Sequence, residues 1–64
     1  MKRRDLERHL RAHGCGEMDE GSSHTRWFGV DGARSVIPRH REIDPVLARK
    51  ICAQLGVPSP SGSR

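Results

Sequence analysis

His24-Thr25-Arg26-Trp27-Phe28-Gly29, then Val30-Asp31-Gly32, then Ala33-Arg34-Ser35-Val36-Ile37-Pro38: how residues 24–38 are read decides the fold of this chain. Aromatic and β-branched residues gather on both sides of a short polar turn, the pattern of two strands joined by a tight connection. Strands are expected near 24–29 and 33–38. Side chains alternate along a strand, so His24, Arg26 and Phe28 share one face and Thr25 and Trp27 the other. Trp27 is the better core anchor. His24 and Arg26 are then left together on the opposite side or at the edge. A weaker strand signal near 15–19 completes a three-stranded meander over residues 15–38.

The flanks read as helices. Leu6 and Leu10 lie four apart within residues 2–13, with Ala12 near their stripe and His9 and His13 beside it. Gly14 suits a helix end. Lys2, Arg3 and Arg4 put positive charge where the helix dipole is already positive, and a bound anion would relieve that cost. Residues 38–43 are expected to be extended. Asp44 is a good N-cap and Pro45 suits the first helical position. Leu47, Ile51 and Leu55 then repeat every four residues, with Ala48 and Cys52 beside them and Arg49 and Lys50 outside. Gly56 ends the helix, and residues 58–64 read as a disordered tail. The expected fold class is α+β: one domain over residues 1–57, helix, three antiparallel strands, helix, with both helices on one sheet face.

Size and charge narrow the function. The chain has 64 residues, 33% of them hydrophobic and 3% aromatic. A domain of roughly 60 residues buries only about 60% of its unfolded surface, so a deep active-site cleft is excluded and any site is a surface feature. The net charge of +4 is unevenly spread. Residues 1–14 and 34–50 each carry +3, and residues 15–33 carry −3. Two basic ends packed on one side would form a cationic surface suited to phosphates; the alternative is an ordinary charge-mixed surface. Two cysteines, Cys15 and Cys52, do not make a disulfide scaffold and fit a reducing cytoplasm. No segment has the apolar length of a membrane span, and Lys2-Arg3-Arg4 is not followed by the apolar run of a signal peptide.

Histidine is the side chain that changes charge near neutral pH. His24 follows Ser22 and Ser23 and lies two residues from Arg26. In such a setting it can move a proton while a 2′-hydroxyl or a water attacks phosphorus, with an arginine holding the phosphate. Alternatively, His24 caps a turn or pairs with an acidic neighbour such as Glu20. His40, between Arg39 and Arg41, is a second acid/base group, a phosphate contact or a plain linker residue. His9 and His13 have helical spacing, but no Cys-x-x-Cys accompanies them and no metal site or other cofactor is expected. Cys52 belongs to the core and is not a nucleophile.

Taken together, these segments resemble the HicA (YcfA-like) family of small bacterial toxins. The resemblance spans residues 1–58. It is carried by Met1-Lys2-Arg3-Arg4-Asp5-Leu6 through Leu10 and His13-Gly14-Cys15, and by Ser22-Ser23-His24-Thr25-Arg26-Trp27. Val36-Ile37-Pro38-Arg39-His40-Arg41-Glu42-Ile43 and Ala48-Arg49-Lys50-Ile51-Cys52 through Leu55-Gly56 complete it. It implies a fold like the double-stranded-RNA-binding domain and ribosome-independent mRNA cleavage with His24 as catalyst. It also implies a HicB-type antitoxin that covers the site. Ser22 stands where the motif usually has glycine, with Gly21 beside it. Asp19 and Glu20 stand where many relatives are more basic; those charges repel RNA and suit antitoxin contacts.

The expected function is therefore a metal-independent endoribonuclease toxin acting in the cytoplasm, a monomer or weak homodimer when free. Lys2, Arg3, Arg4, Arg49 and Lys50 would hold the RNA backbone. Arg26 and Arg39 are candidates for the scissile phosphate, and His40 is a further RNA-binding residue. The alternative is a non-catalytic RNA-binding module of the same fold.

Overall fold

Residues 1–20 and 24–60 are described by the structure, a computed structural model. The hairpin at its centre joins β2 (His24–Phe28) to β3 (Arg34–Pro38) in antiparallel register. His24 lies opposite Pro38, Arg26 opposite Val36 and Phe28 opposite Arg34. The link is a single 3-10 turn, Val30–Gly32, in which Asp31 takes a left-handed φ of 54°. The Gly29 N–H donates to the Ala33 carbonyl at 2.8 Å and closes the turn. Gly29 and Ala33 thus leave the ladder, and each strand is one residue shorter than the sequence pattern alone predicts.

The weakly signalled strand, β1 (Gly16–Glu20), pairs with β2 and gives the order β1-β2-β3. It starts one residue later than expected because Cys15 turns into the core instead. Its register shifts between Glu17 and Asp19, so Met18 is an extra, bulged residue on this edge strand. Gly16 faces Phe28, and a Cβ at Gly16 would collide with the tip of the Phe28 ring.

Helix α1 (Arg3–Ala12) buries Leu6 and Leu10 and ends before Gly14, in line with its amphipathic spacing. Its N-terminus has no side-chain cap. Long-range backbone bonds take that role. The Arg3 N–H donates to the Arg41 carbonyl at 2.8 Å, the Ile43 N–H to the Met1 carbonyl at 2.7 Å, and Lys2 bridges Glu42. The start of the chain is therefore stitched alongside the extended residues 41–43.

Helix α2 (Pro45–Leu55) forms from local signals: the Val46 N–H donates to Asp44 Oδ1 at 2.9 Å, and Pro45 supplies the first helical position. Gly56, at φ 78°, reverses the chain in a conformation that only glycine adopts without penalty. The Val57 N–H then returns to the Cys52 carbonyl, burying Val57. Leu47 is only partly buried; the stripe that packs inward is Ala48, Ile51, Cys52 and Leu55.

Both helices cover the face of the sheet that carries Thr25, Trp27, Ser35 and Ile37. Trp27 is fully buried among Leu6, Leu10, Ile51 and Leu55, and the Arg11 guanidinium stands 5.0 Å from its ring centroid. Ser35 Oγ donates to Gln54 Oε1 at 2.6 Å and ties α2 to β3. The α-β-β-β-α order and the three-stranded antiparallel sheet are those expected from the sequence. The opposite face of the sheet, with His24, Arg26, Phe28, Arg34 and Val36, is uncovered.

Candidate functional site

Alternation along β2 decides where His24 points. Thr25 and Trp27 are buried under the helices, so His24 and Arg26 stand on the open face, both exposed. His24 is the first residue of β2 and pairs with the last residue of β3, Pro38. Arg39 and His40 follow Pro38 directly and are exposed. The chain then runs to Arg41 and Glu42, which bond to the start of α1. One end of the molecule thus collects His24, Arg39, His40, Arg41, Lys2, Arg3 and Arg4.

At this end lies a shallow cleft of about 360 Å³ lined by Lys2, Arg3, Arg4 and Arg41. Glu7 partly neutralises one of these cations, with its Oε2 3.6 Å from Arg3 Nε. That separation is an ion pair without a hydrogen bond, and Arg3 Nε is otherwise unsatisfied. Lys2, Arg4 and Arg41 have no ion pair among the described residues. Repulsion among these groups at the positive end of α1 would be relieved by an anion. Arg41 is the residue that sequence reasoning missed here. Its place in the cleft depends on the backbone bond between Arg41 and Arg3, which no local pattern announces.

The other sequence-derived residues are not gathered in this way. Arg49 and Lys50 are exposed on the outer side of α2, away from Ala48, Ile51, Cys52 and Leu55, with the sheet between them and the open face. Arg49 and Lys50 and the His24 face are therefore on opposite sides, and one phosphate cannot touch both. Arg26 lies on the His24 face, opposite Val36 and in register with Asp19 of β1. Glu20 is in register with Thr25. Residues 21–23, including Ser22 of the motif, lie outside the described residues, as do residues 61–64 of the expected tail.

The remaining chemistry-bearing groups have structural partners. His9 Nε2 donates to the Pro58 carbonyl at 2.8 Å, and His13 Nδ1 donates to the His9 carbonyl at 2.9 Å. Each bond fixes one tautomer, because a carbonyl only accepts. Among the described residues, no three His, Cys, Asp or Glu side chains stand together as a metal-ligand set. Burial pushes the Cys15 and Cys52 thiols above the ordinary thiol range, and the charge Cys15 would carry raises Cys52 further. Both are protonated at neutral pH and unsuited to nucleophilic attack. Among the described residues, no helix is long and apolar enough to cross a membrane.

Neither the curated proteins nor the solved structures gave a significant match to the chain. A family model described as the HicA toxin of bacterial toxin-antitoxin matches residues 3–57, which takes in both helices and all three strands. With that match over the elements that carry His24 and the cationic end, the chain belongs to the HicA toxin family of bacterial toxin–antitoxin systems.

Proposed function

We propose that residues 1–57 form one catalytic domain that cleaves mRNA without a metal, with His24 as the acid/base group. The HicA family is known as one of mRNA interferases. What supports a site at this position is a single arrangement. An exposed histidine stands at the mouth of the hairpin, beside Arg39 and His40 and at the same end as the cleft of Lys2, Arg3, Arg4 and Arg41.

In this reading the RNA backbone enters over the cationic cleft, and Arg26 and Arg39 hold the phosphate about to react. His24 takes the proton of the attacking hydroxyl or gives one to the departing oxygen, a role that contributes about 10²–10⁴-fold. The arginines stabilise the charge that grows on phosphorus-bound oxygens. Arg49 and Lys50 contact a more distant part of the strand around the end of the domain. A toxin of this kind implies an antitoxin partner. We take it to be HicB-type, seated over His24 and drawn by Asp19 and Glu20, with the pair held in the cytoplasm.

The test is an RNA gel with purified protein in excess chelator, with and without the antitoxin. Cleavage that survives the chelator, follows a pH profile in the histidine range and stops when antitoxin is added supports the reading. RNA that is bound yet intact at every pH refutes it in favour of a non-catalytic binding module.

A further inference from the structure

We infer that the open face of the sheet is a platform for the bases of single-stranded RNA, with Phe28 as the stacking surface and Arg34 as its cationic partner. The inference rests on the reading of the protein as one that acts on RNA, and it assigns the strand to the sheet face rather than to the helix layer.

The chain has one phenylalanine and one tryptophan. Trp27 is spent on the core, whereas Phe28 is 43% exposed on the far side of the same strand. Its orientation is fixed from below. The ring tip lies over Gly16, where a Cβ would strike Cζ and Cε2. The ring is thereby held against the backbone of β1 while its outer surface stays open. A pinned aromatic surface is what a base stacks on, and it costs little entropy to engage.

The surroundings select a nucleic acid. Arg34 lies directly across from Phe28 in the ladder and has no ion pair among the described residues. Arg26, on the same face, pairs with Val36. Met18, Arg26, Arg34 and Val36, with Trp27, Ser35 and Gln54, line a shallow cleft of about 580 Å³; Phe28 is not part of its lining but follows Trp27 and faces Arg34 across the ladder, and Met18 is 43% and Val36 47% exposed. That volume is within the usual range for small-ligand sites, about 300–1,000 Å³. A protein-docking patch is depleted of charge at its centre. Here arginines alternate with apolar groups, the mixture that stacks bases and grips the backbone between them.

Distance ties the platform to His24. His24 and Phe28 are four residues apart on one strand and one face, about 13 Å at strand rise. A strand whose phosphate meets His24 therefore lays a neighbouring base on Phe28. A rigid duplex cannot do so without unstacking, so the platform favours single strands.

The experiment is fluorescence anisotropy with a labelled short oligouridylate. The protein is the full chain carrying His24→Ala, so that the probe persists. Phe28→Leu keeps an apolar side chain but removes the ring, and is expected to weaken binding roughly five- to tenfold. Phe28→Trp is expected to stay within about twofold. Arg34→Gln is expected to lower affinity and to flatten the plot of log affinity against log salt by about 0.7.

Unchanged affinity in both Phe28→Leu and Arg34→Gln overturns the proposal. So does an equal loss for an RNA duplex of the same length, or RNA affinity that survives while antitoxin binding alone is lost. Should Phe28→Leu lose its fold by circular dichroism, the exposed Arg34→Gln variant decides alone. Cleavage retained by His24→Ala refutes the catalytic role on a gel; the titration is then read with a 2′-O-methyl oligouridylate, which has no 2′-hydroxyl to attack, so the two failures are separable.

Discussion

Replacing His24 with alanine separates catalysis from folding more cleanly than any other change in this molecule. The imidazole is exposed at the first residue of the central strand, and it makes no hydrogen bond or ion pair in the described structure. Surface changes of this kind stay within about 0.5 kcal/mol. For a domain of this size that shifts the melting midpoint by about 2–4 °C at most. The stability at risk is itself small, about 3–10 kcal/mol at 0.05–0.15 kcal/mol per residue. Loss of the acid/base group, by contrast, is expected to lower the cleavage rate about 10²–10⁴-fold.

Two measurements on one preparation check this: thermal unfolding by circular dichroism, and single-turnover cleavage of an end-labelled transcript. Induction in bacteria adds a third, because the variant is expected to abolish growth arrest. His24→Gln is expected to behave like His24→Ala, since glutamine hydrogen-bonds but does not exchange a proton. A variant that melts normally and still cleaves at the original rate refutes the reasoning. So does one that loses activity only because it no longer folds.

Gly29→Ala is expected to destabilise by about 1–3 kcal/mol, because the new Cβ meets the Leu55 carbonyl, which is backbone and cannot swing away; the urea midpoint reads it. Asp44→Ala removes the cap bond to the Val46 N–H and is expected to cost about 1 kcal/mol by the same measurement. The two thiols also set an alkaline limit on stability. Their folded pKa values are raised, so the folded state holds these protons more tightly than the unfolded chain. Their contribution is complete below the ordinary thiol pKa and is lost as pH climbs through the raised values. Urea titrations above neutral pH are expected to show the decline, and replacing both cysteines with alanine to flatten it.

The parts of this structure that could be read from sequence are those made by near neighbours. Asp44-Pro45 and Gly56 bracket α2 through bonds two to five residues long. The alternation of Thr25 and Trp27 against His24 and Arg26 needs only a strand with one buried face. β1 was harder, because Gly16–Glu20 contains one apolar side chain and becomes a strand through its pairing with β2. Its bulge at Met18 has no sequence signal. The three cations that begin α1 look unfavourable in isolation. They make sense once residues 41–43 lie beside them and Arg41 joins the cleft, a contact spanning almost forty residues. The division of the basic residues between two sides of the molecule was likewise hidden. Arg49 and Lys50 look equivalent to Arg3 and Arg4 until the start of α1 is stitched beside residues 41–43 and Arg49 and Lys50 are placed on the outer side of α2.

Trp27 is the sole indole of the chain, sealed in the interior with a guanidinium against its ring. The protein therefore carries its own optical reporter. Emission should stay blue-shifted while the two helices remain docked and move to the red when they lift away. A ligand resting on the far side of the sheet should move the emission far less than undocking does. Fluorescence thus tells, in one cuvette and without a label, whether a variant has failed to bind or has come apart.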